Sequence, residues 1–412
     1  MRVRLTLAGI AAGAAFLAGP GAVLVSAPAA RAQGMVGRLG AFGAVPGHTA
    51  RISPRSLEKY CALLGLDEGQ TEAARSLHEG YERAFDEAVD EAKRLREEAE
   101  KKAREANDWI PYMRDSPGVM RAAADKVRAV ETGFFDDLRA LLTPEQEEKW
   151  NSLERLRRRE TGLRIGFYSG ASVDLALVLE RSRAPMTPEV RAALGAWEEE
   201  IDGRILAIES VAQRLEDEVT RDGVMAQMGR ELDHLDKIGD VARTMRDVNR
   251  RHARAIADAL PEEQRSAFEG IVRQRTHPRV WAKSETDQML ESAAKLPDLD
   301  ERQRQDLEAL VAQHAQRAAA LKDAHARAID AAEEAANGTL RLELMSRSDE
   351  RIRKLRDEVR AARRARRDLD RESLERLGGV LTQAQVEKLP KPARRDDEGF
   401  SGPFYIQPLD DE

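Results

Sequence analysis

The side chains of this chain that can do chemistry are seven histidines, one cysteine and several rows of charge, and their spacing argues against catalysis. His48, His78, His234, His252, His277, His314 and His325 are dispersed, with none at the i, i+4 spacing that puts two imidazoles on one helix face. His314 and His325 are separated by three helical turns, too far to share an ion directly. The run Glu198-Glu199-Glu200 reads as a solvated helix face, and ligands converging from different helices stay open. Cys61 is the only cysteine, so no intramolecular disulfide forms, and its setting (Lys59-Tyr60-Cys61-Ala62-Leu63-Leu64) marks a small buried hydrophobe rather than a reactive thiol. There is no phosphate-cradling glycine loop, HExxH, cysteine pair or nucleophile elbow. Gly166-Phe167-Tyr168-Ser169-Gly170 lacks the strand that an elbow needs, and Asn337-Gly338-Thr339 fits a glycosylation sequon but is better explained as a turn. The expectation is a protein without catalytic, cofactor-binding or metal-ligating residues.

What remains is binding chemistry. Arg243, Arg246, Arg250 and Arg254 fall on one helical face, and an offset of 121 residues carries the first three to Arg364, Arg367 and Arg371. The functional reading is a surface for acidic clients, attracting them at long range. The plainer reading is a solvated face, because it lies opposite Ile238, Val241, Met245 and Val248. Trp109, Ile110, Tyr112 and Met113 gather at a hairpin tip. They form either a sticky patch for unfolded chains or a contact with a neighbouring unit. Their counterparts are only Met225 and Met228, or Leu340, Leu342, Leu344 and Met345, so the three copies do not share the patch. Nucleic acid is a poor partner for an exported acidic chain, despite Arg363, Arg364, Arg366 and Arg367.

These side chains are positioned by helices whose starts are written in capping chemistry. In Leu142-Thr143-Pro144-Glu145-Gln146, Thr143 is an N-cap, Pro144 takes the first helical position and Gln146 closes a capping box. Leu381-Thr382-Gln383-Ala384-Gln385 keeps Leu, Thr and Gln; Leu260-Pro261-Glu262-Glu263-Gln264 keeps Leu and Gln but loses the cap to Pro261. A second set comprises Leu66-Asp67-Glu68-Gly69-Gln70, Met186-Thr187-Pro188-Glu189-Val190 and Leu299-Asp300-Glu301-Arg302-Gln303. The two sets alternate. From 66 to 186 to 299 the steps are 120 and 113, and from 142 to 260 to 381 they are 118 and 121. A near-constant period of that size is a tandem array of three whole domains, too long for a solenoid repeat.

Composition agrees with this plan. The chain is 34% charged and 4% aromatic, with strand signals almost absent, so the expected fold is all-α with slim cores between long helical hairpins. Each unit has a short leading helix, an outgoing helix, a return helix and a last helix after the second capping stretch. Unit one spans 53–168, unit two 169–283 and unit three 284–391, where Pro390 and Pro392 cut the last helix short. The reversals are expected at 107–118, with Pro111 and Pro117, at Asp222-Gly223 and at Asn337-Gly338. Residues 1–32 read as an export signal, with Arg2 and Arg4, an apolar stretch from Leu5 to Val25 and a cut after Ala32. Cleavage takes the balance from −7 to −10, since 64 basic residues then face 74 acidic ones. Residues 33–52 read as a linker and 392–412 as a disordered acidic tail in which Phe400, Phe404, Tyr405 and Ile406 stand out.

Two LTxxQ-like stretches per four-helix unit, behind an export signal, resemble the Spy/CpxP family of periplasmic stress proteins. The match rests on 142–146 and 381–385, with weaker support from the stretches at Leu66, Met186, Leu260 and Leu299. The resemblance implies an extracytoplasmic, ATP-independent client-binding or stress-sensing role without catalysis, with unfolded or envelope proteins as partners. Chaperone members of that family have a basic concave face and one unit, whereas this chain is acidic and has three. The alternatives are a non-catalytic helical spacer of the cell envelope and a metal-responsive periplasmic sensor.

Overall fold

The computed structural model describes residues 51–390 apart from 107, 109, 164–166, 228–229, 340–341 and 343–347. The export signal, the linker up to residue 50 and the tail from 391 lie outside the described residues, as do Trp109, Met228, Leu340, Leu344 and Met345. Among the described residues every regular element is helical: α1 (Pro54–Leu64), α2 (Glu68–Ala106), α3 (Ile110–Ala140), α4 (Pro144–Glu147) and α5 (Trp150–Gly162) come first. Next come α6 (Leu175–Ser182), α7 (Pro188–Gln227), α8 (Glu231–Ala259), α9 (Glu262–Thr276) and α10 (Pro278–Trp281). Finally come α11 (Glu285–Ala293), α12 (Glu301–Ala336), α13 (Glu350–Val380) and α14 (Gln383–Val386). The all-α expectation is met.

Three pairs of long helices, α2 with α3, α7 with α8 and α12 with α13, make the principal packing. The α2–α3 contacts run in opposite directions, from Gln70 with Leu141 through Tyr81 with Phe134 to Glu91 with Lys126. Each pair has its own core. The first joins Leu57, Tyr60, Leu64, Tyr81, Phe85, Phe134, Leu138, Trp150 and Leu153. The second centres on Trp197, Ile201, Ile205, Ile238, Met245, Ile256 and Phe268. The third is smaller, around Leu290, Leu299, Leu307, Leu310, Leu377 and Leu381. A slim core of this kind suits helices that present one apolar stripe and leave the opposite face charged. Cys61 is buried in the first core, as its apolar neighbours imply.

Three expectations about boundaries change. Leu163, Phe167 and Tyr168 pack in the second core, although the sequence pattern places them in unit one. The first reversal is only the short link between Ala106 and Ile110, with Pro111 in the first turn of α3 and Pro117 inside it. Pro117 removes one ladder hydrogen bond and crowds the preceding turn, a local weakness tolerated near the helix start. Asp222-Gly223 is not a turn: α7 continues through it to Gln227. Asn337-Gly338 does end its helix, with both residues left-handed at φ 57° and 115°.

The units also meet one another. Between the first and second, α3 and α5 both pack against α7, and Arg158 grips Asp202 through two hydrogen bonds of 2.7 and 2.9 Å. Between the second and third, the end of α12 lies on α8 so closely that a Cβ on Gly239 would stand 2.4 Å from the Asn337 carbonyl oxygen.

Candidate functional site

Capping residues were expected to start helices, and they do, but they also reach one another across each hairpin. In unit one the backbone N–H of Thr143 donates to Gln146 Oε1 (2.9 Å), and that of Asp67 donates to Gln70 Oε1 (3.0 Å). Each glutamine then spends its amide N–H groups on the opposite half. Gln70 Nε2 donates to the Leu141 carbonyl (2.7 Å) and Gln146 Oε1 (2.9 Å); Gln146 Nε2 donates to the Gly65 carbonyl (2.8 Å) and Gln70 Oε1 (2.9 Å). The result is a reciprocal amide clasp that satisfies both capping boxes at once. A glutamine is suited to this because one amide supplies two donors and an acceptor in a fixed plane.

Unit three repeats the clasp. Gln303 Nε2 donates to the Val380 carbonyl and Gln385 Oε1, both at 3.0 Å, while Gln385 Nε2 donates to the Asp298 carbonyl (2.9 Å) and Gln303 Oε1 (3.2 Å). Asp300 and Thr382 are its caps. Unit two does not. Thr187 still accepts from the Val190 backbone N–H, but Val190 has no side-chain amide and is wholly buried, and Pro261 makes no side-chain cap. Gln264 keeps its place and its Oε1 is buried without a partner. The leucines before the caps are anchors: Leu260, Leu299 and Leu381 are buried, and Leu66 and Leu142 pack partly buried on the first core. Met186 is the exception and is exposed. In units one and three the motif is therefore a structural clasp, with its glutamine amides engaged by the chain itself.

The arginine row on α8 serves the joint between units two and three, which corrects the reading of it as a solvated face. Arg246 is buried, donates from Nη1 to Glu334 Oε2 (2.8 Å) and lies 4.8 Å over the Tyr168 ring. Arg243 donates to Asn337 Oδ1 (2.7 Å), and Arg250 to Asp330 Oδ1 (2.7 Å). The cause is the carboxylate row Asp330, Glu333 and Glu334 at the end of α12, which no single-helix periodicity places beside α8. Glu333 is buried too. It accepts from the Ser169 N–H (2.9 Å), the Ser169 hydroxyl (2.9 Å) and the Thr339 hydroxyl (2.8 Å). Burial pushes its carboxyl up despite these bonds. Only Arg254 of the row stays exposed.

On α13 the equivalent row is different. Arg364 and Arg367 are exposed and pair with no acidic side chain among the described residues, and Arg371 makes only an exposed 3.4 Å contact with Asp368. Such a contact holds its guanidinium weakly. The helix carries eleven basic and seven acidic residues in a chain whose net charge is −7. At the first tip, Ile110 is 67% exposed, while Tyr112 is half-buried and its hydroxyl is raised chiefly by that burial. The side chains of Trp109 and Met113 lie outside the described residues.

One constellation was not anticipated. His314 is hydrogen-bonded through Nδ1 to Ser373 Oγ (2.7 Å) and through Nε2 to Asp287 Oδ1 (2.9 Å). Arg366 donates to Asp287 Oδ1 (3.0 Å) and Ser284 Oγ (2.9 Å), and contacts Asp370 at 3.0 Å. Burial acts to raise the Asp287 carboxyl, but His314, the Ser284 N–H and Arg366 outweigh it and hold it far below the usual carboxylate range. Asp370 is instead raised by burial. The Ser–His–Asp order resembles a nucleophilic relay, yet Ser373 sits inside α13 at 3% exposure and its hydroxyl is spent on the histidine. It ties α11, α12 and α13 together. In unit one the corresponding place between the long helices is filled by the Tyr81–Phe134 ring contact at 5.2 Å.

Among the described residues no three His, Cys, Asp or Glu side chains converge as metal ligands, and no helix is long and apolar enough to cross a membrane. No family model, curated protein or solved structure matches the chain.

Proposed function

We propose that the protein is a non-catalytic, ATP-independent binding protein that holds unfolded acidic clients on the basic face of α13, in the manner of the Spy/CpxP family that its capping motifs resemble. The observation that carries the reading is the pair Arg364 and Arg367, exposed and without acidic partners among the described residues in a net acidic chain. An acidic molecule concentrates its attraction for negative clients wherever its basic residues are left uncompensated. Arg371 extends the row by one further turn. Placement outside the cytoplasm rests on Arg2, Arg4, the apolar stretch after them and the Ala30-Arg31-Ala32 cut. The test mixes mature protein with an acidic aggregating client without nucleotide. Light scattering falls at stoichiometric ratios if the reading holds and is unchanged if it fails.

A second reading, a rigid helical spacer, is favoured by the joints themselves. The Arg158–Asp202 and Arg246–Glu334 contacts tie successive units. Under that reading the α13 charges are solvated and client aggregation proceeds unhindered.

A further inference from the structure

Units one and two each seat a last helix against the leading one, α5 on α1 and α9 on α6. Their anchors hold matching places. Eight residues beyond the capping leucines at 142, 260 and 381 stand Trp150, Phe268 and Leu389, all three buried. Three further on are Leu153, Ile271 and Pro392. In unit three the helical segment ends at Val386, and Pro390 and Pro392 supply no backbone N–H with which to continue it. The seat is left as a cleft of about 200 Å³ lined by Met289, Leu374, Leu377, Gly378, Val386 and Leu389. Leu374 and Leu377 match Phe135 and Leu138 of unit one, and Phe135 is the residue whose ring meets Trp150 at 6.4 Å.

We infer that residues 400–406 of this same chain fill the cleft in place of the absent helix, seating one ring of Phe400, Phe404 or Tyr405 in it. Four large apolar side chains stand there within an otherwise polar and charged segment, 391–412, which lies outside the described residues. The chain enters that segment at the cleft itself, since Leu389 is part of the lining. From Leu389 the fifteen residues to Phe404 reach up to roughly 50 Å when extended, ample to turn back. A tether of this length keeps the cluster at an effective concentration on the order of millimolar, ahead of any partner in dilute solution. The cleft has room for about one of these rings, because a cavity of about 150 Å³ accommodates a benzene ring.

The experiment compares amide hydrogen exchange across α11 in the full chain and in Phe400→Ser/Phe404→Ser/Tyr405→Ser, at several protein concentrations. None of these substitutions replaces a residue of the three cores described above. The expected result is at least about tenfold faster exchange of α11 in the variant, at every concentration. Unchanged exchange overturns the inference. Protection that instead rises with protein concentration also overturns it, and assigns the cleft to a second copy.

Discussion

Gln146 and Gln264 occupy the same place in their copies, and what each meets decides what its removal does. Gln146 is engaged by a cap, a carbonyl and a second amide, so Gln146→Ala strips partners from several groups together. We expect a loss of about 1–3 kcal/mol in unit one, read as faster hydrogen exchange at the starts of α2 and α4. Gln264 already buries an unpartnered oxygen, so Gln264→Leu is expected to be neutral or stabilising in the same measurement on α9. The caps were legible in the sequence because a capping box lies within four residues. The clasp was not, because Gln70 and Gln146 are 76 positions apart and nothing local marks two glutamines as partners. The same holds for Asp287, His314 and Ser373, which come from three different helices. Since the folded carboxyl of Asp287 is held below its unfolded value, it contributes stability present above about pH 4 and lost as pH falls below that. Asp287→Asn should therefore weaken unit three by about 2 kcal/mol at pH 7, with a difference from the parent that shrinks on acidification, checked by urea unfolding across pH.

At the scale of elements, periodicity and caps placed the helices, and turn dipeptides did less well. Asp222-Gly223 looks like a reversal, yet α7 runs through it because propensity is a weak prior against the packing of a long apolar stripe on α8 and α3. Asn337-Gly338 succeeds because left-handed backbone is needed there, and a Cβ on Gly338 would come within 2.9 Å of the Phe167 carbonyl oxygen. The joint built around that turn was invisible from single helices, since the carboxylates of α12 and the arginines of α8 are about 80–90 residues apart. Its chemistry carries a pH signature. Glu333 is held above its ordinary value by burial, so its ionisation penalises the joint as pH rises past about 4.3 and is relieved below that. Protection of the Asn337–Thr339 amides in the parent should accordingly rise relative to Glu333→Gln as pH is lowered from 7 toward 4. Constant relative protection would contradict this.

For the whole molecule, the three copies share a plan and divide its uses. Units one and three close themselves with glutamine clasps, whereas unit two lacks the clasp and is held from both sides by neighbouring units. Breaking the joint with Arg246→Ala should cost about 1–2 kcal/mol of local stability, because it removes a buried guanidinium that bonds the half-exposed Glu334 and lies over the Tyr168 ring, and should raise the radius of gyration in small-angle scattering. Under the proposed function, diversion of the α8 arginines into that joint leaves α13 as a basic face for a client among the described residues. The most direct test is fluorescence anisotropy of a labelled, acidic, unfolded polypeptide against the mature protein and against Arg364→Glu/Arg367→Glu, at low and at moderate salt. The account predicts salt-sensitive binding that the double reversal weakens at least about tenfold, with helix content unchanged. Equal affinity for the two proteins, or binding indifferent to salt, would contradict it.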